Sequence, residues 1–168
     1  EEKTPDLTQI GEVQVDSRIA ENTRQFLAAA QAIAPEETLI SGYRSRAEQE
    51  ELYNEKVAGE VAKGLSNEEA VSIVLKQVQL PGASEHQTGL AIDMSAPEGQ
   101  EDELAAKIAQ LAPQYGFVLR YPDGKSDITG VDFENWHYRY VGVENAQYMQ
   151  KHNLVLEEYI ALLKEAGK

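Results

Sequence analysis

The chain has 168 residues, with 15 Lys and Arg against 29 Asp and Glu, which gives a formal net charge of −14. This length is typical of one globular domain, and a composition of 42% hydrophobic and 26% charged residues argues against wholesale disorder. The negative charge disfavours nucleic acid and anionic membrane surfaces as partners, and the absence of cysteine excludes disulfides and thiolate ligands.

Hydrophobic periodicity and turn residues predict a mixture of helices and strands. Residues 1–16 are expected to form a flexible lead-in, and residues 17–168 a single domain. The predicted helices cover approximately residues 18–34, 46–57, 66–79, 101–112, 143–151 and 156–164. The predicted strands cover approximately residues 38–43, 89–94, 117–121 and 136–141. The lack of a regular βαβ alternation favours an α+β fold with a small, largely antiparallel sheet flanked by helices.

Two of the three histidines are followed or preceded by a nearby carboxylate: His86 comes before Asp93, and Glu134 comes before His137. Catalytic zinc takes three protein ligands from His, Asp and Glu side chains and keeps a fourth position for water. His86, Asp93 and His137 would supply one such set. Glu134 would then remain as an unligated carboxylate that can take a proton from the water.

The predicted strands constrain how these residues can meet. Asp93 shares one face of its strand with the small residues Gly89 and Ala91, which would let a substrate backbone approach closely. A straight strand would direct Glu134 and His137 to opposite faces, so we expect Glu134 in a loop just before the strand. The spacing alone leaves a second interpretation open, in which the histidines and carboxylates are solvated or hydrogen-bonded and bind no metal.

Three ordered motifs carry a resemblance to a known family. Residues 84–93 read S-x-H-x-x-G-x-A-x-D, residues 134–137 read E-x-W-H, and residues 41–45 read S-G-Y-R-S. With these motifs the chain resembles the zinc D-alanyl-D-alanine carboxypeptidases of the VanY type, whose fold group includes lysostaphin-like peptidases and the hedgehog signalling domain. The sequence around the motifs is most similar to streptococcal LdcB-type L,D-carboxypeptidases, and the similarity begins at about Ser17.

The resemblance implies a role for each matching residue. It implies that one zinc ion per chain is bound by three ligands, His86, Asp93 and His137. It implies Glu134 as general base and later general acid, and Arg44 as the group that binds the terminal carboxylate of the substrate or stabilises the oxyanion. It implies two further substrate-binding residues, Gln49 and Ser84. Residues 56–80 resemble a helical insertion that would wall one side of the substrate groove.

The function that the resemblance implies is removal of terminal D-alanine from the stem peptides of peptidoglycan. We expect an L,D-carboxypeptidase that acts on tetrapeptides. The alternative is a D,D-carboxypeptidase that acts on pentapeptides ending in D-Ala-D-Ala, and an endopeptidase is the third hypothesis. A fourth hypothesis is a protein that is not an enzyme, namely a zinc module that binds cell-wall peptides, and the intact Glu134 argues against it.

The resemblance also implies where such a protein acts. Because peptidoglycan is extracytoplasmic, we expect a secreted or membrane-anchored protein whose leader lies outside this sequence. No apolar run in the sequence approaches the ~18–20 residues of a membrane span. We expect the protein to be a monomer whose partners are peptidoglycan stem peptides.

Overall fold

The structure of the protein, a computed structural model, describes residues 3–167. Residues 1–2 of the predicted lead-in and Lys168 of the predicted domain lie outside the described residues. The helices are α1 (Ala20–Ile33), α2 (Arg46–Ala62), α3 (Asn67–Val74), α4 (Asp102–Leu111), α5 (Ser126–Thr129), α6 (Val143–Lys151) and α7 (Leu156–Glu165). The strands are β1 (Leu7–Ile10), β2 (Val13–Asp16), β3 (Thr38–Ser41), β4 (Ala91–Ser95), β5 (Phe117–Leu119) and β6 (His137–Tyr140). Short 3-10 helices occupy Ser17–Ile19, Glu85–Thr88 and Ala112–Tyr115. The fold is α+β, as predicted.

The central sheet has four antiparallel strands in the order β3-β4-β6-β5. Successive residues of a strand face opposite sides of the sheet, and this alternation divides the sheet into an apolar and a polar face. The apolar face packs Ile92 and Tyr138 against Phe26 of α1, and these three side chains are fully buried. The other face carries Asp93 and His137, which are directly opposite each other on β4 and β6. Burial of the apolar face therefore fixes which residues remain available on the polar face.

The structure differs from the predicted flexible lead-in, because β1 and β2 form an antiparallel hairpin over residues 7–16. Val13 and Val15 alternate with polar residues along β2 and are buried. Gly11 has a φ of 59° and supplies the left-handed residue in the tight turn between the two strands. A two-stranded hairpin is marginal by itself, so its order depends on its contacts with the rest of the domain.

The hairpin contacts two loops of the domain through its second strand. The Asp16 amide donates a 2.9 Å hydrogen bond to the Gly89 carbonyl, and the Tyr43 amide donates a 2.6 Å hydrogen bond to the Gln14 carbonyl. Both contacts require glycine: a Cβ added to Gly89 would lie 2.9 Å from the Asp16 nitrogen, and one added to Gly42 would lie 2.3 Å from the Gln14 oxygen. The hairpin is therefore part of the domain packing.

Helices α2 and α3 pack against each other. The predicted helical insertion, residues 56–80, contains the end of α2, all of α3 and the segment that follows α3. Helix α3 ends at Val74, earlier than the predicted end near residue 79. The Lys76 carbonyl accepts a hydrogen bond from the Asp132 amide, and the Gln79 carbonyl accepts one from the Gln49 side chain. These tertiary hydrogen bonds replace helical ones, so the segment after Val74 follows the neighbouring loops instead of continuing α3.

The two C-terminal helices differ in how they attach to the domain. Helix α6 buries Ala146 and Met149, whereas α7 has no buried residue. Within residues 3–167, no helix combines the length and the apolar character that crossing a membrane requires.

Glu37, just before β3, is a buried carboxyl group outside the polar face described above. It is 1% exposed, and neither of its carboxyl oxygens has a hydrogen-bond partner among the described residues. Burial raises the pKa of this carboxyl group above its ordinary value. A group with a higher pKa in the folded than in the unfolded state stabilises the fold at low pH, and that contribution is lost as the pH rises through the folded-state pKa.

We therefore expect Glu37→Gln, which cannot ionise, to stabilise the protein at pH 8 by about 1 kcal/mol, or roughly 2–4 °C in Tm. The gain should shrink at pH 4, where the carboxyl group of the native protein is protonated. Thermal unfolding followed by circular dichroism at both pH values measures the difference. The exposed neighbour Glu36 provides the matched control, because Glu36→Gln should change Tm little at either pH. An equal gain for Glu37→Gln at both pH values would contradict this explanation.

Candidate metal centre and active site

The sheet register brings three of the predicted site segments together. Ser41 on β3 lies opposite Asp93 on β4, and Asp93 lies opposite His137 on β6. Arg44 follows the end of β3, and its Nη2 lies 3.8 Å from Asp93 Oδ2. The predicted strands thus place one ligand in the middle of β4 and a second at the start of β6, on adjacent strands.

His86 reaches the same place from the 3-10 helix Glu85–Thr88. The Ser84 hydroxyl caps this helix by accepting a 3.3 Å hydrogen bond from the His86 amide. The His86 Nδ1 lies 2.8 Å from the carbonyl oxygen of Gly42, which can only accept a hydrogen bond. Nδ1 therefore carries the proton, and Nε2 is left as the lone-pair nitrogen that faces Asp93.

His86, Asp93 and His137 form a group that fits a metal ion. The Asp93 Oδ1 lies 3.5 Å from His86 Nε2 and 3.8 Å from His137 Nδ1. One ligand atom from each residue lies within 4.8 Å of the other two. Ligand atoms of a tetrahedral zinc site lie roughly 3.3 Å apart, given metal–ligand distances of about 2.0–2.1 Å. The Asp93 Oδ1 is buried without a hydrogen-bond partner among the described residues, which a metal ion would satisfy.

The ionisation of this group follows from its surroundings. Burial raises the pKa of Asp93, but the adjacent His86 imidazole, together with His137 and Arg44, outweighs burial and holds that pKa below its ordinary value. Burial lowers the pKa of His137, but hydrogen bonds with Glu134 and Glu85 outweigh burial and raise that pKa to about 9. Asp93 is therefore ionised at neutral pH, as a ligand must be, and metal binding has to displace a proton from His137.

Glu134 lies in the loop that precedes β6, which confirms the expected bend between Glu134 and His137. Its amide donates a 2.9 Å hydrogen bond to the Tyr121 carbonyl, and this contact anchors the loop. The carboxyl Oε2 lies 3.3 Å from His137 Nδ1, and the residue is 7% exposed. The carboxylate thus borders the metal group and lines the cavity that opens from it.

Arg44 is held by two side chains on one side of the site. Its Nη1 donates a 2.6 Å hydrogen bond to Gln49 Oε1, and its Nη2 donates a 3.0 Å hydrogen bond to Ser41 Oγ. The Gln49 Nε2 in turn donates a 2.7 Å hydrogen bond to the Gln79 carbonyl, and Gln49 is 1% exposed. Both polar atoms of the Gln49 amide are engaged inside the protein. Gln49 therefore connects Arg44 to the segment that follows α3.

The site opens into a cavity of about 620 Å³. Lys56 and residues 77–79 of the predicted insertion line part of this cavity, as expected for the wall that the resemblance implied, and Leu52 of α2 lines it as well. Ser84 lines the cavity beside His86. Trp136 was predicted as the first residue of a strand over residues 136–141. It instead precedes β6 and lines the cavity with 40% of its surface exposed.

Four residues beside the metal group were not predicted as site residues: Glu85, Arg120, Tyr121 and Arg139. The Glu85 carboxylate accepts a 2.7 Å hydrogen bond from His137 Nε2 and one of 3.1 Å from each arginine. The ring of Tyr121 lies 5.0 Å from that of His137, and burial raises the pKa of its phenol. The period-two spacing of His137 and Arg139 on β6 is a sequence signal that could have identified Arg139.

Comparison with known proteins identifies relatives at the level of sequence. The sequence profile described as "VanY: D-alanyl-D-alanine carboxypeptidase" matches residues 12–143. A D-alanyl-D-alanine carboxypeptidase of Enterococcus faecalis (strain ATCC 700802 / V583) is 39% identical over 148 residues, which cover 87% of this chain and 55% of the relative. The bifunctional D-Ala-D-Ala dipeptidase and D-Ala-D-Ala carboxypeptidase VanXYC of Enterococcus gallinarum is 35% identical over 143 residues, covering 79% of this chain and 70% of the relative. The chain thus spans about half the length of the E. faecalis relative.

Solved structures share the fold as well. VanYB in complex with D-alanine-D-alanine superposes with a TM-score of 0.88 and 37% identity, covering 95% of this chain and 90% of that one. A variant of the vancomycin resistance D,D-pentapeptidase VanY in complex with Zn(II) gives a TM-score of 0.87 and 37% identity, covering 95% and 91%. The LD-carboxypeptidase LdcB gives a TM-score of 0.74 and 31% identity, covering 95% of this chain and 76% of that one.

Proposed function

The chain belongs to the VanY family of D-alanyl-D-alanine carboxypeptidases, and on this premise we propose that it is a zinc-dependent carboxypeptidase that removes terminal D-alanine from peptidoglycan stem peptides. The observation that carries this proposal is the convergence of three metal-ligating side chains with the Glu134 carboxylate at one cavity. The ligands proposed for one zinc ion per chain are His86, Asp93 and His137. Residues 17–168 are proposed as the catalytic domain, with the β1–β2 hairpin packed against it.

The proposed chemistry is a hydrolysis without a covalent enzyme intermediate. A zinc ion bound by the three ligands would polarise the scissile carbonyl and lower the pKa of water. The Glu134 carboxylate accepts a proton from the attacking water, whose oxygen forms a bond to the carbonyl carbon. Glu134 then donates that proton to the D-alanine nitrogen as the carbon–nitrogen bond breaks. The intact Glu134 supports this reaction over a module that only binds peptides.

Arg44 is proposed to bind the terminal carboxylate of the substrate. Two of its nitrogens are fixed by Ser41 and Gln49, and a guanidinium has five N–H donors, so donors remain for a carboxylate. Its Nη2 is 3.8 Å from Asp93 Oδ2, too far for a hydrogen bond that would occupy it. Ser84 is proposed as a second substrate-binding residue. Gln49, predicted to touch the substrate, is proposed instead to act by positioning Arg44.

We expect Gln49→Ala to raise KM by about 10–100-fold while kcat changes little, because a charged guanidinium loses its buried acceptor. Steady-state kinetics on a defined stem peptide separates the two constants. Gln77→Ala is the matched control, since it removes a glutamine side chain from the exposed part of the same cavity. If Gln49→Ala lowers kcat and leaves KM unchanged, the proposed role of Gln49 is wrong.

Two substrate stereochemistries are compatible with this chemistry. We place D,D cleavage of pentapeptides ending in D-Ala-D-Ala first, because the family description and the E. faecalis relative both name that dipeptide. The VanYB complex supports the same choice with its higher TM-score, 0.88 against 0.74 for LdcB. L,D cleavage of tetrapeptides, the leading expectation of the sequence analysis, is the second candidate and is supported by the likeness to LdcB.

Mass spectrometry of defined stem pentapeptide and tetrapeptide, each incubated separately with the zinc-loaded protein, tests the proposal. Loss of one alanine from the pentapeptide, abolished by a chelator, is expected for a D,D-carboxypeptidase. Loss of one alanine from the tetrapeptide would assign L,D activity instead. If the protein binds zinc and one of the peptides but leaves both peptides intact, the proposed enzyme is wrong and the protein is a non-catalytic peptide-binding module.

The place of action follows from the proposed substrate. Stem peptides of peptidoglycan lie outside the cytoplasmic membrane, so we propose that the protein acts as an extracytoplasmic enzyme. The likeness to D-alanyl-D-alanine carboxypeptidases supports this location. The expected monomeric state stays a prediction that analytical ultracentrifugation can measure.

A further inference from the structure

Glu85 is adjacent to His86 in the chain, but its side chain contacts the other histidine of the site. Its Oε1 accepts a 2.7 Å hydrogen bond from His137 Nε2. Its Oε2 accepts hydrogen bonds from Arg120 Nε and Arg139 Nη1, each of 3.1 Å. The Glu85 side chain is 11% exposed, so this carboxylate is shared by three donors in a largely dry environment.

The contact with Glu85 determines how His137 faces the metal group. An imidazole that donates its Nε2 proton to a carboxylate presents Nδ1 as its lone-pair nitrogen. The His137 Nδ1 is the atom that lies 3.8 Å from Asp93 Oδ1 and 3.3 Å from Glu134 Oε2. Carboxylates in this outer position fix the ring orientation of a ligating histidine, and their loss typically weakens metal binding about 10–100-fold.

Glu85 also balances positive charge beside the metal group. The side chains of Arg120 and Arg139 are 13% and 22% exposed, and both face the Glu85 carboxylate. Without that carboxylate, two poorly solvated guanidinium groups would stand close to a divalent cation. Their repulsion would add to the loss of the hydrogen bond that orients His137.

Arg120 extends this chain of contacts to helix α7. Its Nη1 contacts both carboxylate oxygens of Glu157, at 2.5 and 3.0 Å. Helix α7 has no fully buried residue, and this ion pair is one of the polar contacts that attach it to the domain. A second polar contact joins the neighbouring Glu158 to Lys125 at 2.9 Å and does not involve Arg120.

We propose that Glu85 is the positioning residue of the metal ligand His137, and that Glu157 supports it from helix α7 by holding Arg120. This inference rests on the proposed metal site. It assigns the C-terminal helix a part in metal binding although that helix contributes no ligand. It also gives the neighbouring carboxylates Glu157 and Glu158 different roles, which makes them a matched pair for an experiment.

The test measures the zinc dissociation constant of the metal-free full chain by competition with a chromophoric chelator. We expect Glu85→Gln to raise this constant about 10–100-fold. Glu157→Gln should raise it by a smaller factor, and Glu158→Gln should leave it unchanged. The absorption spectrum of the cobalt-loaded protein gives a second readout, because a reoriented His137 alters the ligand field in Glu85→Gln.

Thermal unfolding of the metal-free proteins separates positioning from a purely structural effect. A metal-free Tm for Glu85→Gln close to that of the native chain, together with weaker zinc binding, supports the inference. Native zinc affinity and an unchanged cobalt spectrum in Glu85→Gln would overturn it and leave the proposed function standing. Failure of the native chain to bind zinc would overturn the proposed function itself. If Glu85→Gln does not fold, equal zinc constants for the Glu157 and Glu158 variants would overturn the inference.

Discussion

Glu134→Gln should retain one zinc ion per chain and lose about 10²–10⁴-fold in kcat, because general acid–base catalysis contributes a factor of that size. The amide has nearly the shape of the carboxylate but cannot accept the proton of the attacking water. Glu134 is not among the three proposed ligands, so metal content should be unchanged. Metal analysis after dialysis and steady-state kinetics on the preferred stem peptide measure both expectations.

Asp132→Asn is the matched control for Glu134→Gln, since Asp132 lines the same cavity and loses one negative charge in the same way. We expect it to lower kcat less than 10-fold. Equal losses of kcat in the two variants would mean that turnover depends on the negative charge of the cavity and that it does not depend on proton transfer by Glu134. A Glu134→Gln protein with near-native turnover would reject the proposed base directly.

Local rules could place two members of the metal group, Asp93 and His137, whereas spacing alone left metal binding open and the resemblance supplied the full ligand set. Period-two alternation directs Asp93 away from the apolar face that Ile92 joins, and the same rule directs His137 away from Tyr138. Burial of the apolar face then brings the two ligands together when β4 pairs with β6. The bend at Glu134 was predictable for the same reason, since no straight strand can present Glu134 and His137 to one metal.

The supporting contacts were not predictable because they join distant parts of the chain. The Glu85 carboxylate meets Arg120 across 35 residues and Arg139 across 54 residues of sequence. Gln49 reaches the Gln79 carbonyl across 30 residues. No periodicity or turn residue signals such pairs, which exist only once the sheet has formed. The hairpin is a different case, since the alternation of Val13 and Val15 was visible but two short strands have little stability before they dock.

The distribution of charge explains how an acidic protein could bind the proposed substrate, which ends in a carboxylate. The formal net charge is −14, yet three arginines stand around the metal group: Arg44, Arg120 and Arg139. Glu85 offsets part of the charge of Arg120 and Arg139, whereas Arg44 keeps donors free toward the cavity. Local charge at short distance in a partly buried site outweighs the screened charge of the distant surface.

His137→Ala is expected to lose zinc and with it nearly all hydrolysis of the stem peptide. Two ligands remain after this change, and a catalytic zinc site needs three protein ligands. The substitution also leaves the Glu85 carboxylate without the donor at Oε1. Metal content after dialysis, measured by atomic emission, should fall from about one zinc per chain to near zero.

His152→Ala is the matched control, because His152 is the third histidine of the chain and lies at the end of α6, with its ring 4.4 Å from that of Tyr148. It should keep both zinc and activity, since no ligand of the proposed site is removed. Stoichiometric zinc in purified His137→Ala would contradict the ligand assignment, whatever the activity. Loss of zinc from His152→Ala would show that removing any histidine destabilises the fold. The ligand assignment of His137 therefore requires that His137→Ala loses zinc while His152→Ala keeps it.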